Sequence, residues 1–249
     1  MQRLRYKHGK PRGTCPVNDA SFDYEDTVSA LYVRLRGMAA AFEFKPGERI
    51  NESALSRSLG ASRTPLREAL NRLVAEGFID FQSGRGFFCR ALTPERITHL
   101  YEARIAVECE AVRHATARAE DDDLALLDAT LDETAEEYAD CTDPLRLLDL
   151  DEAFHLRLCA LAGNPELVRM LQTIYDKIRF VRAADLRQLQ AAGRTTTERH
   201  REILSLVRAG DVPGASDAMR SHIEQRTRYA TDAVRLAFAD LYAPRDGDQ

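Results

Sequence analysis

The sequence lacks any hydrophobic run close to the length that a membrane helix needs. Spanning a bilayer takes roughly 20 consecutive apolar residues, and each apolar stretch in this chain of 249 residues is interrupted much earlier by charged or polar side chains. Residues 1–7 also lack the apolar core of a secretory signal peptide. These two absences predict a cytoplasmic protein that does not associate with a membrane.

Paired cysteine motifs are missing as well. The chain has 5 cysteines, an odd number, and no two of them form a C-x-x-C pair. This pattern argues against a disulfide framework and against a thiolate zinc site. We therefore expect free thiols without a functional role, at Cys15, Cys89, Cys109, Cys141 and Cys159.

Charge is distributed unevenly along the chain. The formal net charge is −5, but residues 1–90 carry 15 Lys and Arg against 10 Asp and Glu, whereas residues 91–249 carry 20 against 30. A polyanion would be attracted to the first part and repelled by the second. The apolar content of 44% is sufficient for a hydrophobic core in each of two domains.

Two predicted helices are joined by a tight turn, which is the pattern of a helix-turn-helix. The first runs from a cap at Asn51 to a stop at Gly60, and the second from a cap at Ser62 to a stop at Gly77. At 3.6 residues per turn the second helix has an apolar and a polar face. The apolar face carries Leu66, Leu70, Leu73 and Val74, and the polar face carries Thr64, Arg67 and Asn71.

A hairpin and a further helix complete this first domain. Two β-prone runs, residues 78–82 and 87–90, flank a glycine-rich tip that exposes Arg85, as in a wing. Upstream, residues 24–42 predict a helix that packs behind the other two. Its apolar stripe consists of Val28, Leu31, Leu35 and Met38.

These elements resemble the winged helix of GntR-family transcription regulators. The matching motifs are K-P-G-E-R-I-N-E at residues 45–52, S-R-T-P-L-R-E-A-L at 62–70 and E-G-F-I at 76–79. The resemblance covers about residues 24–92. It implies that the chain binds a double-stranded DNA operator.

The resemblance also implies a set of DNA-contacting residues. Arg63 and Arg67 would read or clamp the major groove. Ser62 and Thr64 would bond phosphates near the helix start, and Arg85 on the wing would enter the minor groove. Arg72 points away from the DNA. The complete predicted set is Ser62, Arg63, Thr64, Arg67, Asn71, Arg85 and Gly86.

After Thr93 the chain is helical in composition, with no β-rich run. Caps and breakers predict six helices, and the short loops between them indicate a compact antiparallel bundle. The predicted helices span residues 94–119, 121–140, 144–162, 165–191, 196–209 and 213–240.

The predicted fold class is therefore mainly α: an N-terminal winged helix-turn-helix followed by an all-α antiparallel bundle. We expect a basic flexible arm at residues 1–22, a DNA-binding domain at 23–92, a helical domain at 93–240 and a flexible tail at 241–249.

Histidines in the helical domain form a candidate metal centre. Asp151 and His155 are four residues apart on one predicted helix, which places both on one face. His200 and His222 fall on two later helices, close to apolar residues. One carboxylate and three imidazoles suit Zn²⁺, Ni²⁺, Mn²⁺ or Fe²⁺. The spacing equally allows three core or surface histidines without a metal.

The helical domain resembles the FCD domain that accompanies FadR-type members of the GntR family. The similarity runs over about residues 94–235 and includes Y-E-A-R-I-A-V-E at 101–108 and A-G-N-P-E-L at 162–167. It implies a divalent metal ion held by Asp151, His155, His200 and His222.

Arg104 has two competing interpretations. In FCD proteins an arginine at this position often faces the cavity, where its guanidinium can hold a carboxylate effector in a fork. The alternative is that Arg104 pairs with Glu108 at i,i+4 on an exposed helix face.

Together these features favour a ligand-controlled transcription factor. We expect a metal-dependent repressor that responds to a small organic acid and binds a pseudo-palindromic operator as a homodimer, paired largely through residues 94–240. A metalloenzyme with a DNA-targeting module is the main alternative, although no general base stands in a recognisable relation to the ligands. A third possibility is a plain dimerisation bundle without a small ligand.

Overall fold

The computed structural model contains a winged helix-turn-helix domain followed by a helical bundle, so the predicted fold class is confirmed. The structure describes residues 20–41, 43–91 and 93–242. Most of the predicted basic arm and most of the predicted tail lie outside these residues. Within them, no helix combines the length and the apolarity that crossing a membrane requires.

The first domain consists of three helices and an antiparallel hairpin: α1 (Ala20–Ala40), α2 (Glu52–Leu59), α3 (Arg63–Ala75), β1 (Ile79–Gln82) and β2 (Gly86–Cys89). The Asn51 side chain caps α2 by accepting a hydrogen bond from the backbone N–H of Ala54 at 3.0 Å. Gly60, at φ 64°, ends that helix in the left-handed conformation. Ser62 occupies the cap position of α3, but its side chain makes no capping bond. The backbone carbonyl of Ser62 instead accepts from Leu66 N–H at 3.3 Å.

The core of the first domain lies between α1, α3 and the hairpin. The predicted stripe on α3 is buried at Leu66, Leu70 and Leu73, while Val74 packs at the edge of the core and is half-buried. Burying these side chains stabilises the domain by roughly 1.5–3 kcal/mol each. The other large apolar members of this core are Val28, Leu31, Leu35, Ile50, Leu55, Phe78, Ile79 and Phe87.

The segment before α2 extends the hairpin. Gly47 N–H donates to Cys89 O at 2.9 Å, and Ile50 N–H donates to Phe87 O at 2.8 Å. Between them, Arg49 forms a β-bridge with Phe88. This pairing places Arg49 next to the wing.

The second domain is built from α4 (Pro94–Arg118), α5 (Asp121–Asp140), α6 (Pro144–Ala160), α7 (Pro165–Ala191), α8 (Thr197–Arg208) and α9 (Val212–Tyr242). Three of these helices begin with a proline behind a residue whose side chain caps the first turn, namely Thr93, Asp143 or Asn164. The long helix α4 packs against α6, α7 and α9. Its contacts with these helices form the centre of the bundle.

The two domains meet where α1 contacts α7. Arg36 donates to Asp176 Oδ2 from both Nε, at 2.8 Å, and NH2, at 2.6 Å. Lys177 Nζ lies 5.5 Å from the centre of the Phe78 ring. The first domain is thus anchored to consecutive residues of one bundle helix.

The described cysteines are free, as predicted: Cys89, Cys109, Cys141 and Cys159. Cys15 lies outside the described residues. Burial raises the pKa of Cys89 to about 11 and the pKa of Cys159 to about 12. These two thiols therefore stay protonated and unreactive near neutral pH.

Candidate metal centre and DNA-binding face

The four side chains predicted as metal ligands converge inside the bundle. Asp151 and His155 lie one turn apart on α6, His200 lies on α8 and His222 lies on α9. One ring nitrogen from each imidazole lies within 4.8 Å of the other two. Asp151 Oδ1 is 3.5 Å from His200 Nε2, and Asp151 Oδ2 is 3.9 Å from His155 Nε2. We call these four residues the histidine cluster.

The histidine cluster is enclosed by the bundle core. Asp151, the most exposed of its four members, is only 5% exposed. Phe154 stacks on His200 with the ring centres 4.1 Å apart and the planes 12° apart. The helices that carry the imidazoles, α6, α8 and α9, also contribute buried apolar residues to the bundle core, including Leu158, Ile203, Leu204 and Ile223.

Burial sets the protonation states in the cluster. Loss of solvation lowers the pKa of His200 to about 3 and the pKa of His222 well below its usual range. For Asp151, burial raises the pKa, but the ion pair with Arg182, whose charge persists at neutral pH, helps to hold the pKa well below its usual range. Neutral imidazoles beside an ionised carboxylate are donors that borderline divalent cations bind.

Three polar atoms of the cluster lack a hydrogen-bond partner among the described residues: Asp151 Oδ1, His155 Nδ1 and His200 Nε2. Of these buried atoms, Asp151 Oδ1 and His200 Nε2 lie 3.5 Å apart. Leaving a buried polar group unpaired costs about 1–3 kcal/mol. A cation bound between the two atoms would satisfy both, so these residues fit a divalent metal ion.

Arg104 lies beside the histidine cluster rather than on an exposed helix face. It pairs with Glu108, with Nε 2.5 Å from Oε1, and its side chain is only 2% exposed. Its NH2 group lies 3.3 Å from His155 Nε2 and 3.5 Å from Tyr175 Oη. The i,i+4 pair with Glu108 is therefore present, but the surface location proposed with it is wrong, because α4 is central to the bundle.

Arg182 is a buried residue of this site that sequence analysis missed. From α7 it donates to Asp151 Oδ2 at 2.6 Å and to Glu152 Oε1 at 2.9 Å. Its Cζ atom lies 4.1 Å from the centre of the Tyr175 ring. Arginines are common along α7, so the sequence contains no signal that separates Arg182 from those that face solvent.

A cavity of about 560 Å³ opens beside the histidine cluster. It is lined by His222 and Arg226 of α9, by the buried Thr196 and by the exposed Arg194. An adjoining cavity of about 210 Å³ shares Arg194 and Arg226 and reaches Asp185. The size and the polar lining suit a small polar molecule.

The residues predicted to contact DNA lie at the surface of the first domain. Ser62, Arg63, Thr64, Arg67, Asn71 and Arg85 are exposed, and Gly86 is half-buried.

Two of the arginines are oriented by neighbouring side chains of α2. Arg63 NH2 donates to Ser53 Oγ at 3.0 Å, and Arg67 NH1 lies 3.6 Å from Glu52 Oε2. On the wing, Arg85 Cζ lies 5.1 Å from the centre of the Phe88 ring. Arg63 and Arg85 are thus held at the surface by a hydroxyl group and an aromatic ring, whereas Arg67 is already paired with the acidic Glu52.

Arg49 joins this face and was not predicted. A cavity of about 450 Å³ between the start of α3 and the segment that leads into α2 is lined by Arg49, Arg63 and Arg67, together with Ile50, Asn51, Glu52 and Ser53. Three guanidinium groups around one concave surface match the requirement for phosphate contacts. Sequence analysis could not place Arg49 here, because its position depends on the β-bridge to Phe88.

A winged helix-turn-helix with an arginine-lined face, joined to a helical domain with a buried polar cluster, defines a DNA-binding transcriptional regulator. Comparisons with known proteins agree. Residues 27–89 match the family "Bacterial regulatory proteins, gntR family", and residues 99–225 match the FCD domain. The chain belongs to the GntR family and carries an FCD domain.

Relatives support the same assignment. The chain is 38% identical over 208 residues to the Nta operon transcriptional regulator of Aminobacter aminovorans, covering 82% of this chain and 95% of that protein. It is 31% identical over 192 residues to the uncharacterized HTH-type transcriptional regulator YdhC of Bacillus subtilis, covering 77% and 85%. These relatives are regulators rather than enzymes, so the metalloenzyme alternative is not supported.

Solved structures share the fold. E. coli McbR/YncC superposes with a TM-score of 0.65 at 22% identity, covering 83% of this chain and 97% of that one. A GntR-family transcriptional regulator from Pseudomonas syringae superposes with a TM-score of 0.51 at 25% identity, covering 86% and 89%. The likeness to E. coli McbR/YncC, at 22% identity, is a likeness of fold.

Proposed function

We propose that this regulator is a metal-dependent repressor that responds to a small organic acid. The observation that best supports the proposal is the histidine cluster, in which three imidazoles from three helices lie beside one carboxylate. Its members, Asp151, His155, His200 and His222, would hold a divalent ion such as Zn²⁺, Ni²⁺, Mn²⁺ or Fe²⁺. A bound ion would supply an electrophilic site for a carboxylate oxygen.

The proposed effector is a small carboxylate. The 560 Å³ cavity beside His222 offers space for it, and the charged side chains of its lining are three arginines, Arg194, Arg199 and Arg226, against two glutamates, Glu198 and Glu202. Arg104 already pairs with Glu108 through Nε. Its NH2 group, next to His155 Nε2, is the donor that a carboxylate entering the cluster would meet.

The proposed output is repression by a homodimer on a pseudo-palindromic operator in the cytoplasm. One recognition helix covers one half-site, so two copies related by twofold symmetry supply the specificity that a single winged helix lacks. The helical domain would provide most of the dimer contact. Arg63 and Arg67 would enter the major groove, and Arg85 on the wing would enter the minor groove.

The test compares His200→Ala with His99→Ala, which removes an exposed histidine on α4. Elemental analysis would measure the metal content, and fluorescence anisotropy would measure affinity for a promoter duplex with and without a panel of small organic acids. We expect metal in the parent and in His99→Ala but not in His200→Ala. Effector couplings of about 1–3 kcal/mol, or roughly 5–150-fold in affinity, are typical, and this response should disappear in His200→Ala alone.

Basal operator affinity of His200→Ala should stay within a few-fold of the parent, because no residue on the DNA-binding face is changed. A metal-free His200→Ala variant that still responds like the parent would contradict a role for the metal in sensing. A parent protein that purifies without metal and binds none on addition would contradict the metal site itself.

A further inference from the structure

A buried carboxylate stands directly behind one imidazole of the histidine cluster. Glu108 on α4 is 2% exposed. Its Oε1 atom accepts from Arg104 Nε at 2.5 Å and from Tyr175 Oη at 2.8 Å. Its Oε2 atom lies 2.6 Å from His155 Nδ1. Three helices, α4, α6 and α7, therefore meet at this one side chain.

The contact between Glu108 and His155 has no competitor. Among the described residues, neither Glu108 Oε2 nor His155 Nδ1 forms a hydrogen bond, although the two atoms lie only 2.6 Å apart. At this separation a small turn of the imidazole ring would direct Nδ1–H at the oxygen. Both atoms are excluded from water, which leaves each as the available partner of the other.

This contact determines which nitrogen of His155 can bind a cation. A neutral imidazole carries one N–H and one lone pair, and a carboxylate at Nδ1 requires the N–H there. The lone pair then resides on Nε2, the atom that lies 3.9 Å from Asp151 Oδ2 and 3.3 Å from the Arg104 guanidinium, which a bound cation would replace as its partner. Metal-binding histidines almost always donate their second nitrogen in this way, and loss of that partner typically costs 10–100-fold in metal affinity.

We propose that Glu108 is a positioning residue of the metal centre, which holds His155 in the Nδ1–H tautomer with Nε2 directed into the histidine cluster. This role rests on the metal site proposed above. Arg104 and Tyr175 hold the carboxylate through its other oxygen, Oε1, so that Oε2 remains free for His155. The Arg104–Glu108 pair is then part of the support for the metal centre.

A purely structural role for Glu108 makes a different prediction. If the carboxylate served only to neutralise the buried Arg104, its removal would destabilise the fold in the absence of metal and leave metal affinity unchanged. The two roles separate when stability and metal affinity are measured on the same variants.

The experiment uses the full chain, stripped of metal, and titrates it with Zn²⁺ against a chromophoric chelator. Glu108→Gln keeps the shape of the side chain and removes its charge. The control is Tyr101→Phe, which alters another fully buried polar residue of α4 whose hydroxyl makes no hydrogen bond among the described residues. We expect Glu108→Gln to weaken Zn²⁺ binding about 10–100-fold, and Tyr101→Phe to stay within about threefold of the parent.

A second readout reports on ligand geometry. Co²⁺ replaces Zn²⁺ in nitrogen and oxygen sites and absorbs visible light according to its coordination, so Glu108→Gln should change the Co²⁺ spectrum while Tyr101→Phe should not. If Glu108→Gln does not fold, Glu108→Asp keeps the charge but withdraws the carboxylate from Nδ1, and it should show a smaller loss of affinity in the same direction.

Three results would overturn the proposal. Equal Zn²⁺ affinity of the parent and Glu108→Gln, with only a lower melting temperature, would leave Glu108 as the partner of Arg104 alone. Equal losses in Glu108→Gln and Tyr101→Phe would indicate a general effect of disturbing the core. A parent that binds no divalent metal would rule out both this role and the metal site. This result differs from the other two because the parent alone shows it, before any variant is compared.

Discussion

Replacing Arg63 should weaken DNA binding far more than replacing Arg72, although both are exposed arginines on α3. They are nine residues apart, which on a helix of 3.6 residues per turn is about two and a half turns, so they lie on opposite sides. Arg63 lines the concave surface next to Arg49 and is oriented by Ser53. Arg72 pairs with Glu68 at 3.1 Å, with both side chains 43% exposed.

The size of each effect follows from these environments. An arginine that contacts a base or a phosphate contributes about 1–3 kcal/mol to specific binding, and a tenfold change in affinity corresponds to about 1.4 kcal/mol. Arg63→Ala should therefore weaken operator binding by roughly 5–150-fold. The exposed pair of Arg72 is worth about 0.3–0.5 kcal/mol to stability, and its loss should change DNA affinity by less than about threefold.

Fluorescence anisotropy on a duplex selected from a randomised library would measure both variants, and the titration should saturate at two chains per duplex if the protein is a homodimer. Repeating the titration at a series of salt concentrations would show whether Arg63 contacts a phosphate or a base. Each phosphate contact contributes about 0.9 to the slope of log affinity against log salt, so loss of one phosphate contact per protomer should reduce the slope by about 2. An unchanged slope with relaxed sequence preference would indicate a base contact. Equal losses in Arg63→Ala and Arg72→Ala would refute this orientation of α3.

Two further predictions concern buried and interdomain charges. Burial raises the pKa of Asp185 to about 6 despite its ion pair with Arg226, so the stability that this group contributes is present at low pH and is lost as the pH rises from about 4 through 6. Relative to Asp185→Asn, the free energy of unfolding of the parent should fall by about 3 kcal/mol over that range; parallel pH profiles in urea titrations would contradict this. Asp176→Asn should reduce the effector-dependent change in operator affinity severalfold without changing Zn²⁺ affinity, and the reversed pair Arg36→Asp with Asp176→Arg should restore it. An unaltered response in Asp176→Asn would show that the domains are not coupled through this contact.

Helix ends were predictable because their signals are local. A capping side chain followed by proline marks the start of α4, α6 and α7, and such a signal acts within one turn of the chain. The wing was predictable for the same reason, since its turn and β-prone residues are adjacent in sequence. Ser62 shows the limit of this reasoning: the residue type suits a cap, but the side-chain rotamer decides whether the bond forms, and here it does not.

The candidate site was predictable only in part. The spacing of Asp151 and His155 is local and places both on one face of α6. The contributions of His200 and His222 were assigned through the family resemblance, because spacing alone left open whether they meet. Contacts between helices that are distant in sequence depend on packing angles, which residue types alone do not determine. Arg182 was missed for that reason, and so was the contact of Glu108 with His155.

The position of α7 gives the two domains a physical connection. Two consecutive residues of α7 contact different domains. Tyr175 donates to Glu108 at 2.8 Å inside the bundle, and Asp176 accepts from Arg36 of the DNA-binding domain. A hydrogen-bonded helix moves as a unit in a closely packed interior, so a displacement of Tyr175 also displaces the anchor of α1. An effector that draws Arg104 away from Tyr175 would therefore act on the helix that positions the winged domain. Such an effector can change DNA affinity only as far as it binds the displaced arrangement of α7 more tightly than the undisplaced one.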